Sequence, residues 1–251
     1  MQQSGRADAS GGLNVLCFET AAQAEREAAM LMREHMATGG DSVVGLATGR
    51  TMLPVYAWLR QWHQDGVLSF RGVTTFNLDE YCGMQRDDPA SFTSYMRRHL
   101  FDHVDIAADR FHFPDELVPD RFDDLIRARG GIGLQLLGIG RNGHIGFNEP
   151  GASLESRTRI VTLAESTRTA NAVDFPEGTM TPAKAVTMGI ATILAARRIV
   201  LLATGGEKAE TLRRAQQGPI TADCPASYLQ LHGNVTVICD SAVAARLKDP
   251  T

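Results

Sequence analysis

Paired cysteines, long apolar runs and an excess of positive charge are all missing from this 251-residue sequence. Its four cysteines (Cys17, Cys82, Cys224 and Cys239) stand far apart with no CxxC spacing, so neither a zinc site nor a disulfide framework is indicated. No apolar stretch reaches the roughly 18 to 20 residues of a membrane span. No apolar signal core follows the N-terminus, so the cytoplasm is the expected compartment, without a membrane partner. Lysine and arginine number 25 against 29 aspartates and glutamates, a net charge of −4. That balance argues against a protein built to coat nucleic acid. A disordered chain is excluded as well, because 43% of the residues are hydrophobic and only 22% charged.

What the sequence does hold is an alternation of apolar runs and helical patterns. Residues 1–12 are small and polar and read as an N-terminal tail, leaving one domain over 13–251. Strands are predicted at Val15–Phe18, Ser42–Ala47, Val73–Leu78, Leu134–Gly138, Arg198–Ala203 and Val235–Cys239. Thr20 is placed to cap a helix through about His35, and Ser91 one to Phe101; helical patterns also span Met52–His63 and Glu207–Gln217. Thr181-Pro182, a hydroxyl cap before proline at the first helical position, predicts a further helix to about Ala195. Continuous apolar strands alternating with helices are the pattern of a parallel sheet covered on both faces. The expected fold is a single α/β domain, doubly wound and Rossmann-like, with its chemistry where loops leave the carboxyl ends of strands.

Three such loops and a basic pair carry unusual residues. Thr48-Gly49-Arg50-Thr51 lies between a strand and a helix, where glycine, hydroxyls and free helix amides can cradle a phosphate. An ordinary strand-to-helix turn has the same pattern, and the segment is one residue short of a nucleotide P-loop, with arginine in the place of lysine. Asp79-Glu80 ends an apolar run; alternation along the chain turns one carboxylate toward the crevice, where it can act as a general base, and an acid that caps a neighbouring turn has the same pattern. The third loop runs from Gly138 to Gly151. Its Gly138, Gly140 and Gly143 match GxGxxG formally, yet Gly146, Pro150 and Gly151 interrupt the helix a dinucleotide site requires. His144 and Glu149 remain, either as an acid/base pair or as ordinary surface residues, with no third ligand for a metal. Arg168 sits in a helical pattern and Lys208 in the first turn after a strand, where the helix dipole disfavours a cation unless an anion binds there.

Taken together, ATGRT at 47–51, FNLDEY at 76–81, LLGIGRNGHIGFNEPG at 136–151, SRTR at 156–159, TRTAN at 167–171, KAVTMGIATIL at 184–194 and LQLH at 229–232 resemble the glucosamine-6-phosphate deaminase (isomerase) family. The likeness covers nearly everything after the tail. It implies conversion of glucosamine 6-phosphate and water to fructose 6-phosphate and ammonia, in amino-sugar metabolism, without metal or organic cofactor. It further implies Asp79 as the base that takes the C2 proton, and His144 in ring opening, supported by Asn142 and Glu149. Thr48, Gly49, Arg50, Thr51 and Lys208 would hold the phosphate, and Arg168 the bound sugar phosphate.

The chain departs from the family pattern in two places. Many members have aspartate where Asn142 stands, so His144 is expected to receive less electrostatic support. The usual Thr-Gly-Gly-Thr-Pro is here Thr48-Gly49-Arg50-Thr51-Met52, which adds a charge and removes backbone freedom. The family contains monomers and homo-oligomers, and its allosteric hexamers use a basic residue where this chain has Val161. Arg159 is retained, but that regulation is not expected here. The rival activities are deamination of an epimer such as galactosamine 6-phosphate, 6-phosphogluconolactonase and a non-catalytic sugar-phosphate sensor. Lactonases typically carry Asp-Glu-Arg in place of Asp79-Glu80-Tyr81 and lack Asn148-Glu149-Pro150.

Overall fold

The computed structural model describes residues 13–37, 41–176 and 180–247, so the tail expected over 1–12 lies outside the described residues. In chain order the elements are β1 (Asn14–Phe18), α1 (Ala21–Met36), β2 (Ser42–Leu46), α2 (Leu53–Gln64), β3 (Val73–Asn77), β4 (Asp79–Tyr81), α3 (Phe92–His99), β5 (Phe111–His112) and α4 (Asp120–Ala128). They continue with β6 (Leu134–Gly138), β7 (Arg159–Thr162), α5 (Glu165–Asn171), β8 (Lys184–Thr187), α6 (Ile190–Leu194), β9 (Arg198–Ala203), α7 (Ala209–Gln217), β10 (Val235–Asp240) and α8 (Ser241–Ala244). The start of α1 shows how local chemistry sets an element. Thr20 Oγ1 accepts from the Gln23 amide at 3.3 Å while Gln23 Oε1 accepts from the Thr20 amide at 3.1 Å, a reciprocal cap for two otherwise unsatisfied donors. The helix then buries Ala24, Ala28, Leu31 and Met32, the face its spacing predicts.

Seven strands form one sheet in the order β1-β10-β9-β6-β2-β3-β5, every neighbouring pair parallel. Both faces are covered, so Val44, Leu46, Leu134, Leu136, Val200, Leu202, Val237 and Ile238 are all buried and the strands read as unbroken apolar runs. From β2 the chain steps outward through β3 to β5. It then returns to β6, on the other side of β2, and moves the opposite way through β9 to β10. The winding therefore reverses between β2 and β6, and loops leaving their carboxyl ends diverge to open a crevice. Those loops are 47–51 and 139–150.

The helix predicted from Thr181 to about Ala195 is not there. Lys184–Thr187 is instead the middle strand of a second, antiparallel sheet ordered β4-β8-β7. It pairs Asp79 with Thr187 and Tyr81 with Ala185 on one side, and Arg159 with Thr187 on the other. The Thr181 hydroxyl, read as a helix cap, donates to the Arg168 carbonyl at 3.1 Å. Pairing on both sides outweighs the local helical pattern, and only the five residues of α6 remain helical. Gly189 makes the transition, since a Cβ there would lie 2.1 Å from the Ser156 carbonyl oxygen. This sheet encloses a separate small core of Tyr81, Phe147, Leu163, Phe175 and Ala185, packed against the crevice.

Candidate active site

The loop after β2 forms the crevice's first wall. Gly49 has φ +106, a backbone region that strains any L-residue, and it leads into a 3-10 turn over Arg50–Met52. Tyr56 donates to the Ala47 carbonyl and Tyr95, from α3, donates to the Gly49 carbonyl at 2.8 Å. The loop is thus held by its carbonyls, while Thr48 and Thr51 are half-buried and Arg50 is exposed. A cavity of about 300 Å³ borders it, lined by Gly49, Arg50, Tyr81, Phe92, Tyr95 and Phe175 among others.

The two carboxylates at 79 and 80 occupy β4 rather than a loop, and the strand separates them. Glu80 faces α3, where it accepts from the amides of Phe92 (2.9 Å) and Thr93 (2.8 Å) and from the Thr93 hydroxyl (2.9 Å). It caps that helix together with Ser91. Asp79 faces the other way and is 5% exposed. Burial first, and the neighbouring Glu80 charge second, push its carboxyl up to about 8, against hydrogen bonds from Thr187 and the Phe147 amide that favour the anion. Gly146 lets the third loop come this close: its φ is +55, and a Cβ on it would lie 3.1 Å from Thr187 Oγ1 and 3.4 Å from Asp79 Oδ2.

After β6 the chain folds back on itself instead of entering a helix, with the Gly140 amide donating to the His144 carbonyl at 2.9 Å. The dinucleotide reading is thereby removed. His144 Nδ1 lies 2.8 Å from Asn142 Oδ1, and Asn142 Nδ2 donates to Glu149 Oε2 at 2.5 Å. An ionised carboxylate only accepts, so it turns the amide nitrogen of Asn142 toward itself and the amide oxygen toward the imidazole. Nδ1 must then carry the proton, which leaves Nε2 as the basic nitrogen. Burial opposes the charge on Glu149, yet the nearby His144 imidazole and hydrogen bonds from Thr167 and Asn142 prevail and bring its carboxyl down to about 2. Asn142 accepts the imidazole bond as expected, and the charge it lacks is supplied by Glu149, whose Oε2 is 3.7 Å from Nδ1.

The rest of the loop is anchored on several sides. Asn148, fully buried, donates to the carbonyls of Ile145 (2.9 Å) and Met188 (2.8 Å) and accepts from Arg159 at 2.9 Å. Arg159 is therefore turned inward to the loop. Lys208, in a 3-10 turn before α7, donates to the Ile139 carbonyl at 2.7 Å; burial lowers its ammonium, against the opposing effect of Glu207. Arg168, on α5, keeps a buried Nε without a hydrogen-bond partner among the described residues. Among the described residues no group of three or more His, Cys, Asp or Glu is placed to hold a metal ion, and no helix is long and apolar enough to cross a membrane.

The structure thus gathers Asp79, Asn142, His144 and Glu149 at the reversal point, with the loop of Thr48–Thr51 beside them and Arg168 and Lys208 on flanking elements. Sequence reasoning missed Thr167, Thr187, Asn148 as a loop anchor, and the tyrosines Tyr81 and Tyr95. Tyr81, Asn148, Thr167 and Thr187 lay inside stretches already singled out, Thr187 in the one read as helix.

Gly140 supplies a local test. A Cβ there would lie 2.1 Å from His144 Cε1, and its φ is not positive, so alanine fits the backbone but not the imidazole. Gly140→Ala is expected to lower turnover roughly 100-fold, the scale of a displaced acid/base group, with a melting temperature close to that of the parent. Steady-state kinetics beside a thermal melt checks this; full activity would show that the ring can move aside harmlessly.

Parallel sheet, reversal-point crevice and buried acid/base groups together define a candidate active site at the carboxyl ends of the strands. The family described as glucosamine-6-phosphate isomerases/6-phosphogluconolactonase matches residues 18–238, and the chain belongs to it. The glucosamine-6-phosphate deaminase of Bacillus pumilus is 47% identical over 234 residues, 91% of this chain and 97% of that protein. The deaminase of Rhodopirellula baltica is 48% identical over 246 residues, covering 94% and 98%. A solved structure described as a monomeric glucosamine-6-phosphate deaminase has a TM-score of 0.89 at 45% identity, covering 92% of this chain and 99% of its own. The 6-phosphogluconolactonase of Trypanosoma brucei, at 22% identity and a TM-score of 0.70 over 93% and 98% of the two chains, shares the fold.

Proposed function

We propose that this chain converts glucosamine 6-phosphate and water to fructose 6-phosphate and ammonia. The observation that carries the reading is a buried carboxylate, Asp79, packed against the loop that holds a His–Asn–Glu relay. His144 Nε2 takes the proton of the anomeric hydroxyl as the C1–O5 bond breaks and returns a proton to O5, opening the ring. Asp79 then removes the C2 proton to form an enolamine and delivers it to C1. The resulting imine at C2 adds water and expels ammonia, leaving the C2 ketone. An amino sugar suits Asp79 in particular. A base pushed up to about 8 by burial and by the Glu80 charge is short of a countercharge among the described residues, and a substrate ammonium at C2 supplies one, whereas a lactone does not. Thr48, Gly49, Arg50 and Thr51 hold the phosphate with Lys208, and Arg168 presents its unpaired Nε to the bound sugar phosphate.

Ammonia release from glucosamine, galactosamine and mannosamine 6-phosphates, assayed side by side, tests the substrate. Preference for glucosamine 6-phosphate supports the reading; preference for the galactosamine epimer would move it to a sister activity of the same site.

A further inference from the structure

The two oxygens of Glu149 are held by different parts of the molecule. Oε2 accepts from Asn142, seven residues earlier in the same loop, and Oε1 accepts from the hydroxyl of Thr167, on α5. Thr167 is 6% exposed, so water does not readily replace that donor. Helix α5 has only seven residues, too short to be stable by itself, and side-chain bonds fasten it over the site. Besides Thr167, Asn171 donates to the Tyr81 hydroxyl at 3.0 Å, and Thr181 donates to the Arg168 carbonyl at 3.1 Å. Thr167 and Asn171 are one helical turn apart and share the face toward the crevice. Arg168, with its unpaired buried Nε, sits between them.

We propose that Thr167 is a positioning residue: it clamps Glu149 from α5 and so couples the His144 relay to the seating of the helix that carries Arg168. This rests on the deaminase reading above. When Arg168 draws onto the anionic sugar phosphate, α5 is held at its working position, and Thr167 holds Glu149 with it. Glu149 in turn fixes the Asn142 amide, and Asn142 fixes the proton on Nδ1. Without the hydroxyl, Glu149 keeps one donor, its Oε1 loses its partner, and the carboxylate can rotate away from the geometry that orients the amide. The effect falls on the step that needs Nε2, ring opening, and not on proton transfer by Asp79.

Thr167→Val keeps the shape and removes the hydroxyl; Thr167→Ser keeps the hydroxyl. Both are compared with the parent on glucosamine 6-phosphate and on its 4,5-dideoxy analogue, which lacks both hydroxyls that could close a pyranose or furanose ring. Thr167→Val is expected to lose about tenfold in kcat on glucosamine 6-phosphate with KM within twofold, the serine variant recovering most of it. On the analogue all three proteins are expected to turn over equally. An equal loss on both substrates would show a merely structural disturbance, and an unchanged kcat would show that Glu149 needs no second donor; either overturns the proposal. Absence of ammonia from the parent on both substrates would instead remove the deaminase reading itself.

Discussion

Asp79→Asn is expected to lower kcat for ammonia release by about three orders of magnitude, within the range for loss of a positioned general base, and to stabilise the protein at alkaline pH. The second effect follows from the same burial as the first. Asp79 titrates near 8 in the folded protein against an ordinary 3.8. Between those values the folded state holds a proton that the unfolded chain has released, so stability falls as pH rises from about 4 to 8 and the full penalty is present above 8. Asparagine never ionises and escapes the penalty, while its amide oxygen can still accept from Thr187 and the Phe147 amide. The gap in melting temperature between variant and parent is therefore expected to be small near pH 4 and to reach about 5 °C or more at pH 8.5, since 1 kcal/mol moves a domain of this size by about 2 to 4 °C. The catalytic counterpart is a kcat/KM that climbs with pH through about 8, as the free enzyme's carboxyl ionises. Melting curves at several pH values, beside rates, check both halves. Retained activity would remove Asp79 as the base, and a gap that does not grow with pH would show that its burial is not the destabilising feature.

His144→Gln is expected to lower turnover of glucosamine 6-phosphate by about 10² to 10³. Glutamine can still donate to Asn142 Oδ1, yet it has no basic nitrogen to take the anomeric proton. The loss should appear in kcat with the cyclic substrate and shrink on the open-chain 4,5-dideoxy analogue, because only ring opening depends on Nε2. An unchanged rate on the cyclic substrate would take His144 out of the mechanism. Glu149 gives the same relay its low-pH limit. Its carboxyl titrates near 2 instead of 4.5, so its contribution to stability is complete above about 4.5 and is lost as pH falls toward 2.

Much of this was legible in the sequence because it rests on local rules. The parallel strands announce themselves as apolar runs, α1 by its Thr20 cap and spacing, and the reversal-point loops by glycines and hydroxyls between strand and helix. His144, Glu149 and Asp79 stood out because they lie in the segments FNLDEY and LLGIGRNGHIGFNEPG, where loops leave strand ends. The second sheet was not legible. Lys184–Thr187 satisfies a helical pattern locally, and its pairing with β4 and β7 depends on residues about 25 to 105 positions away. The division of labour between Asp79 and Glu80 was hidden for the same reason, since it is α3 that claims Glu80. Likewise, Asn142 and Glu149 are both expected beside His144, but only the folded loop sets their order, with the Asn142 amide between imidazole and carboxylate. The clamp from Thr167 needs two loops and a helix to meet, and no spacing rule encodes that.

The central claim is that a buried base and an imidazole relay act on an amino-sugar phosphate. Its most direct test is to measure ammonia and fructose 6-phosphate together during turnover of glucosamine 6-phosphate, with hydrolysis of 6-phosphogluconolactone followed in parallel. The two products are expected in a one-to-one ratio, with no significant lactone hydrolysis. Lactone hydrolysis without ammonia release would contradict it.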